Sequence, residues 1–121
     1  GCESRVKLVG ALPRDRMPEF WQEQDIMVSC SEREGHSISQ CEAMAQGCVP
    51  VITDTSGARD DVYDGMNGFV VPVGAIDEIV KKISYLYHHR NEMEIMGNRA
   101  RATINEKNNN VDLVAFWSKL L

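Results

Sequence analysis

Short apolar runs alternate with helix-like segments along most of this chain, and no other sequence feature limits the fold more strongly. Residues 25–30 and 49–53 form two such runs, which are separated by a loop at 31–36 and a helical pattern at 38–46. This alternation is typical of a parallel sheet with crossover helices. The sequence therefore predicts an α/β fold, a Rossmann-like three-layer αβα arrangement with a mainly parallel sheet of about four strands.

The other predicted elements extend this alternation and end in a helical C-terminal third. Gly47 stands where helices commonly close with a glycine, and Pro72 places the last strand at a sheet edge or at its own end. The further predicted strands lie at 6–10 and 68–73, and the further predicted helices lie at 14–24, 58–63, 76–87, 92–107 and 111–121.

The composition is that of one globular domain. The chain has 121 residues, of which 43% are hydrophobic and 26% are charged, and these values suit a single domain. The net charge of −5 argues against a nucleic-acid or anionic-membrane surface, because such surfaces need clustered Lys and Arg. No run reaches the roughly 18 apolar residues of a membrane helix. We expect residues 1–121 to form a single, partial domain of a longer protein, with no nucleic-acid partner and no transmembrane segment.

The cysteines give no sign of a metal site. Cys2, Cys30, Cys41 and Cys48 show neither CxxC spacing nor a Cys/His ligand pattern. Buried, reduced thiols are therefore favoured over disulfides or metal ligands. This usage points to a reducing compartment and predicts a cytoplasmic location, with peripheral membrane association through the longer protein as a second option.

The loop between the two central apolar runs is suited to an anion. Glu34-Gly35-His36-Ser37 precedes the predicted helix, and Ser37 with Gln40 has the form of a capping box. A strand, a glycine-bearing loop and a helix in this order direct the free N–H groups of the helix start at a bound anion. The helix dipole would stabilise that anion by about 0.3–2 kcal/mol.

Two carboxylates flank this helix start. Glu34 precedes it, and Glu42 lies about one turn beyond it. Carboxylates do not bind phosphate, but they accept hydrogen bonds from the hydroxyls of a ribose or a sugar, so a ligand that carries phosphate and sugar would suit both halves. The alternative interpretation is that the two Glu side chains only favour the helix start electrostatically. The predicted inward face of this helix consists of Ile38, Cys41, Ala45 and Cys48.

Several motifs follow one another along the chain. Glu34-Gly35 is followed by Glu-Ala-Met-Ala at 42–45, by Gly47 and by Pro50-Val51. Further on, the sequence reads Asp-Gly-Met-Asn-Gly at 64–68. In order and spacing these motifs resemble the retaining family-4 glycosyltransferases of the GT-B fold, and the resemblance extends over nearly residues 6 to 105. The sequence departs from the family pattern at Cys30, His36, Ser56 and Asp60.

The resemblance implies that this chain is part of the donor-binding half of such an enzyme. Glu34 would be the catalytic residue, which binds donor-sugar hydroxyls and orients the transfer, and Glu42 would accept hydrogen bonds from the ribose. The backbone amides that would meet the donor sugar and its diphosphate belong to Gly35, His36, Ser37 and Ile38. The implied reaction is the retaining transfer of a hexose-type sugar from a nucleotide diphosphate sugar to an acceptor glycan, lipid or small molecule.

The resemblance also implies what this stretch lacks. No Asp-x-Asp metal motif occurs, so we expect a metal-independent reaction without a cofactor. Family members supply an Arg and a Lys for the diphosphate from a segment upstream, and they bind the acceptor through an N-terminal domain. We therefore expect the isolated chain to be inactive, and an unpaired sheet edge to permit self-association. The predicted helix at 111–121 would pack against whatever neighbour completes the fold.

Three other classes of protein share the α/β pattern. A phospho-receiver domain needs an acidic pair after its first strand, whereas the run at 6–10 is followed by Ala11-Leu12-Pro13. A dinucleotide-dependent oxidoreductase needs a GxGxxG motif after a strand, and none occurs. A non-catalytic, glycosyltransferase-like scaffolding or regulatory module stays open as the alternative function.

Overall fold

A computed structural model describes residues 5–31, 38–55 and 57–108 of the chain. In chain order the regular elements are α1 (Met17–Gln22), β1 (Ile26–Ser29), α2 (Ile38–Ala45), β2 (Val49–Thr53), β3 (Phe69–Val71), α3 (Ile76–His88) and α4 (Arg90–Asn108). Single turns of 3-10 helix precede α1 at Arg14–Arg16 and follow β2 at Ala58–Asp60. The α/β prediction is confirmed.

The three described strands form one parallel sheet in the order β1-β2-β3. Ile26 lies opposite Val49, and Val51 lies opposite Phe69. The central strand β2 is buried along its whole length, as expected for a parallel strand that is covered on both faces. Because the strands are parallel, the carboxyl ends of β1 and β2 lie at the same edge of the sheet.

Two apolar clusters cover the two faces of this sheet and create three layers. On one face Met27 and Ile52 pack with Met44 of α2 and with Ala100 and Ile104 of α4. The cluster on the other face consists of Val49, Val51, Phe69, Val71, Ile79, Leu86 and Met96, which come from the strands, α3 and the first half of α4. Helix α4 therefore contributes to both clusters.

A close backbone approach fixes α4 against the turn between α2 and β2. Gly47 has a positive φ of 87° and closes α2, as the sequence predicts, with its N–H donating to the Met44 carbonyl over 2.9 Å. A Cβ atom on Gly97 of α4 would overlap the carbonyl oxygen of Gly47. Only glycine at position 97 lets the two backbones come this close.

The predicted strand at 6–10 is wrong, because these residues form neither a helix nor a strand. Leu8 in the middle of this segment is 94% exposed. A strand needs a neighbour for its hydrogen bonds, and the described sheet pairs nothing with the outer edge of β1. The described sheet accordingly has three strands, not about four. The predicted helix at 111–121 lies outside the described residues.

The predicted inward face of α2 is correct only in part. Cys48 is buried in the cluster that contains Met44, and the half-buried Cys41 and Ala45 pack against that cluster. Ile38, however, is 57% exposed, and the buried residues of the helix itself are Gln40, Ala43 and Met44. Ala43 and Met44 lie in the same cluster as Ala100 of α4. The packing of α4 against α2 selects this face.

Candidate functional site

The carboxyl edge of β1 and β2 is polar and tightly linked. The Thr53 hydroxyl, at the end of β2, donates to the carbonyl oxygen of Ser31 over 2.5 Å. The hydroxyls of Ser29 and Ser31 lie 3.4 Å apart. In open parallel sheets, ligands bind in the crevice outside the carboxyl ends of the strands, so this edge is the candidate site.

Helix α2 begins at this edge. Its other end lies at the amino end of the sheet, since Cys48 N–H donates to the Ala43 carbonyl and Val49 N–H donates to the carbonyl of Asp25, which precedes β1. The first turn of α2 must therefore lie beside the carboxyl ends of the strands. This placement agrees with the helix start that the sequence predicts for an anion.

Two of the six predicted site residues are described, and both lie on α2. Ile38 is the first residue of the helix and Glu42 follows four positions later, so the two side chains lie on one side of it. Glu42 is half-buried, and its charge contributes to raising the pKa of Cys41. The structure therefore places a carboxylate one turn beyond the start of the helix.

The other predicted site residues, Glu34, Gly35, His36 and Ser37, lie outside the described residues, as does the capping-box partner of Gln40. Their roles stay predictions.

A polar pair that the sequence analysis did not assign follows β2 at the same edge. Arg59 donates from Nε and one terminal nitrogen to the two carboxylate oxygens of Asp54, over 3.1 and 3.2 Å. Both side chains are largely exposed. This bidentate pair links the end of β2 to the 3-10 turn at Ala58–Asp60. In the sequence, the only sign of this ion pair is that Asp54 and Arg59 lie five positions apart on either side of Gly57.

Behind α2 lies a buried carboxylate, which the sequence analysis also missed. Asp61 is 2% exposed. Lys107 Nζ lies 2.8 Å from Asp61 Oδ1, and the Cys41 thiol donates to Asp61 Oδ2 over 3.4 Å. Burial lowers the pKa of Lys107, but the hydrogen bond and the charge of Asp61 outweigh burial and raise that pKa overall, so the ammonium stays charged.

None of the three described cysteines forms a disulfide. Burial, then the charge and hydrogen bond of Asp61, raise the pKa of Cys41 to about 12, and burial with the charge of Asp25 raises that of Cys48 to about 11. Neither is a ready nucleophile, because the thiolate is the reactive form. The prediction of buried thiols holds for Cys48, whereas Cys41 is half-buried and Cys30 is exposed. Cys2 lies outside the described residues.

The described residues offer neither a metal-binding cluster nor a helix that could cross a membrane. Residues 5–31, 38–55 and 57–108 contain no group of three or more His, Cys, Asp or Glu side chains arranged to hold a metal ion. None of the helices in these ranges is both long and apolar enough to cross a bilayer.

Comparison with known proteins decides the family. A family model described as "Glycosyl transferases group 1" matches residues 1–103. The chain belongs to this family. It is 31% identical over 96 residues to a sulfoquinovosyl transferase of Arabidopsis thaliana, an alignment that covers 76% of this chain and 19% of the relative. The chain spans about a fifth of the length of the curated relatives it matches.

Solved structures of GT-B type confirm the fold of this family member. A mutant of Staphylococcus aureus TarM, solved in complex with fondaparinux, alpha-GlcNAc-glycerol and UDP, superposes with a TM-score of 0.86 at 26% identity, over 98% of this chain and 24% of TarM. Anabaena HepE, solved in complex with UDP-glucose, has a TM-score of 0.83 at 23% identity, over 97% of this chain and 33% of HepE. The second likeness shows the fold alone.

Proposed function

We propose that this chain is part of the donor-binding domain of a retaining glycosyltransferase. The parent protein would transfer a hexose-type sugar from a nucleoside diphosphate sugar to an acceptor glycan, lipid or small molecule. One observation carries the proposal: α2 begins at the carboxyl edge of the sheet and has Glu42 one turn beyond its start. The complex of TarM with UDP supports a ligand that contains a nucleoside diphosphate.

In the proposed mechanism the start of α2 holds the diphosphate. The amides of Gly35, His36, Ser37 and Ile38 donate to the sugar and the phosphates, and the positive end of the helix dipole stabilises the charge that grows on the leaving diphosphate. Glu34 accepts hydrogen bonds from the sugar hydroxyls and orients the anomeric carbon toward the acceptor. No metal or cofactor takes part in this proposal, since the sequence has no Asp-x-Asp motif.

Glu42 binds the ribose of the donor nucleotide. A carboxylate at this height on α2 accepts hydrogen bonds from the two ribose hydroxyls, and such charge-assisted bonds contribute about 1.5–3 kcal/mol each. Acceptor contacts and the cationic side of the phosphate clamp come from the rest of the parent protein, so the isolated chain is inactive. The described thiols form no disulfide, which suits a cytoplasmic location, with membrane association through the parent.

Two substitutions in the complete parent protein test these roles. Glu34→Ala lowers kcat for sugar transfer by about a hundredfold or more, because the group that orients the sugar is lost. Glu42→Ala instead raises the Kd for the nucleoside diphosphate by about a hundredfold or more, because both hydrogen bonds to the ribose are lost. Radiolabelled sugar transfer measures the first effect, and calorimetric titration with UDP, GDP and ADP measures the second.

The matched control is Glu94→Ala, which removes an exposed carboxylate from α4 and leaves both quantities unchanged. Parent-level transfer by the Glu34 variant would refute its catalytic role. If the parent binds no nucleoside diphosphate, the non-catalytic scaffolding or regulatory module becomes the better interpretation.

A further inference from the structure

One buried carboxylate joins three separate parts of the chain. Asp61 follows the 3-10 turn at Ala58–Asp60, Cys41 belongs to α2, and Lys107 lies in the last turn of α4. Both carboxylate oxygens of Asp61 are engaged, one by the ammonium at 2.8 Å and the other by the thiol at 3.4 Å. A buried carboxylate is tolerated only when it is paired and hydrogen-bonded in this way.

A second set of hydrogen bonds, made by the Asn67 side chain, fixes the backbone at Asp61. The buried side-chain amide of Asn67 donates to the Asp61 carbonyl over 2.9 Å and to the Thr103 hydroxyl over 3.0 Å. Its oxygen accepts from the Tyr63 N–H over 2.7 Å. The loop at 61–67 is thus tied to itself and to α4, so Asp61 offers Cys41 a fixed partner.

The buried pair of Asp61 and Lys107 is better suited to fixing how the elements pack than to adding stability. Buried ion pairs can often be replaced by apolar side chains without loss of stability, because desolvation offsets their attraction. They are, however, directional, and they disfavour packings in which one charge loses its partner. The raised pKa of Cys41 keeps the thiol protonated, so it acts as a hydrogen-bond donor to Asp61.

We propose that Asp61, held by Lys107 and acting through Cys41, is a positioning residue that sets the rotation of α2 and thereby directs Glu42 at the ribose. Cys41 immediately precedes Glu42 on the helix, so a fixed Cys41 side chain determines where the Glu42 side chain leaves the helix. This inference rests on the proposed function and adds to it the residues that orient its nucleoside contact.

The test is discrimination between UDP and 2′-deoxy-UDP by the complete parent protein, measured by calorimetry well below the unfolding temperature. If GDP or ADP is the nucleotide that binds, its 2′-deoxy counterpart replaces 2′-deoxy-UDP. The Kd for 2′-deoxy-UDP divided by the Kd for UDP reports the ribose contact alone, since a smaller folded fraction weakens both titrations equally. Asp61→Asn keeps the shape of the side chain but removes its charge, and we expect the ratio to fall about threefold or more.

Substitutions at position 41 provide a second, independent arm. Cys41→Ala removes the donor to Asp61 and lowers the ratio, whereas Cys41→Ser keeps a donor and restores most of it. These two variants decide the question if Asp61→Asn does not fold. The control is Ile79→Val, which removes a methylene group from the core on the opposite face of the sheet, lowers the unfolding temperature and leaves the ratio unchanged.

The outcomes separate the inference from the proposed function. A parent protein that prefers UDP, with unchanged preference in Asp61→Asn and Cys41→Ala, overturns the positioning role and leaves the proposed function standing. A fall in the ratio for Ile79→Val of the same size also overturns it, because general loosening would then suffice. A parent that binds none of the nucleoside diphosphates overturns both.

Discussion

Strand β2 and the segment at 6–10 show what decides burial in this molecule. Strand β2 lies between α2, α3 and α4, and all five of its residues are buried. The segment at 6–10 forms no strand, and its Leu8 is 94% exposed. Both stretches are mainly apolar, so the presence of a covering element, and not the residue type, makes the difference.

The largest expected effect comes from comparing a leucine that packs in the cluster with β2 and a leucine in the segment at 6–10. Leu86 of α3 is fully buried, whereas Leu8 is 94% exposed. Leu86→Ala should cost about 2–5 kcal/mol of unfolding free energy, because it leaves a cavity under α3. Leu8→Ala should stay within about 0.5 kcal/mol. Urea denaturation of both variants measures the difference, and equal losses would show that the N-terminal segment is covered after all.

A smaller loss is expected at the backbone contact between α4 and the α2–β2 turn. Gly97→Ala should destabilise the fold by about 1–3 kcal/mol through overpacking, although alanine favours a helix by roughly 1 kcal/mol over glycine. The control is Asn98→Ala at the neighbouring exposed position, which should be neutral or slightly stabilising. A more stable Gly97→Ala variant, judged by its denaturation midpoint, would contradict the close approach.

The cysteines extend the comparison to pH. The folded protein holds the pKa of Cys48 at about 11 and that of Cys41 at about 12, above their ordinary value of 9.0. Between about pH 9 and 11 the unfolded chain therefore loses these protons while the folded chain keeps them, so stability falls as the pH rises through this window. Below pH 9 the two thiols contribute no pH dependence.

Denaturation curves at several alkaline pH values check this slope, which should be smaller in Cys48→Ala. In a Cys2→Ser background, iodoacetamide should modify the exposed Cys30 before it modifies the buried Cys48. A faster reaction at Cys48 would mean that the core cluster around Met44 opens readily.

The smallest effect belongs to the exposed pair of Asp54 and Arg59. Exposed ion pairs contribute little to stability, so Arg59→Ala should change the unfolding midpoint barely measurably, and not at all in about 1 M salt. Arg59→Lys is the matched control for charge without the bidentate geometry. A large loss in low salt would mean that the loop after β2 is held more firmly than its exposure suggests.

The sequence predicts well where local and tertiary signals agree. The bounds of β2 match the prediction, since the apolar run at 49–53 is preceded by a helix-closing glycine and is covered on both faces. The run at 6–10 has a similar pattern but no described neighbour, so the same reasoning fails there. A short apolar run therefore forms a strand only when a partner strand is present, and that partner often lies far away in the chain.

The candidate site is predictable to a similar extent. The start of α2 and the height of Glu42 follow from the spacing of a loop and a helix. The inward face of α2 follows only in part, because Ala43 and Met44 beside the predicted face are equally apolar and are buried in one cluster with Ala100 of α4. The contact of Asp61 with Lys107 joins residues 46 positions apart, and no local pattern marks either of them.

The direction in which α4 runs has a consequence for how this molecule opens. Its first half packs Met96 against one face of the sheet, and its second half carries Ile104 and Lys107 on the other. Helices fray from their ends, so fraying at the C-terminal end of α4 would release Asp61 and α2 while α3 and Leu86 stay in place. Under the proposed function, this local opening would weaken the nucleotide contact of Glu42 before the rest of the fold is lost.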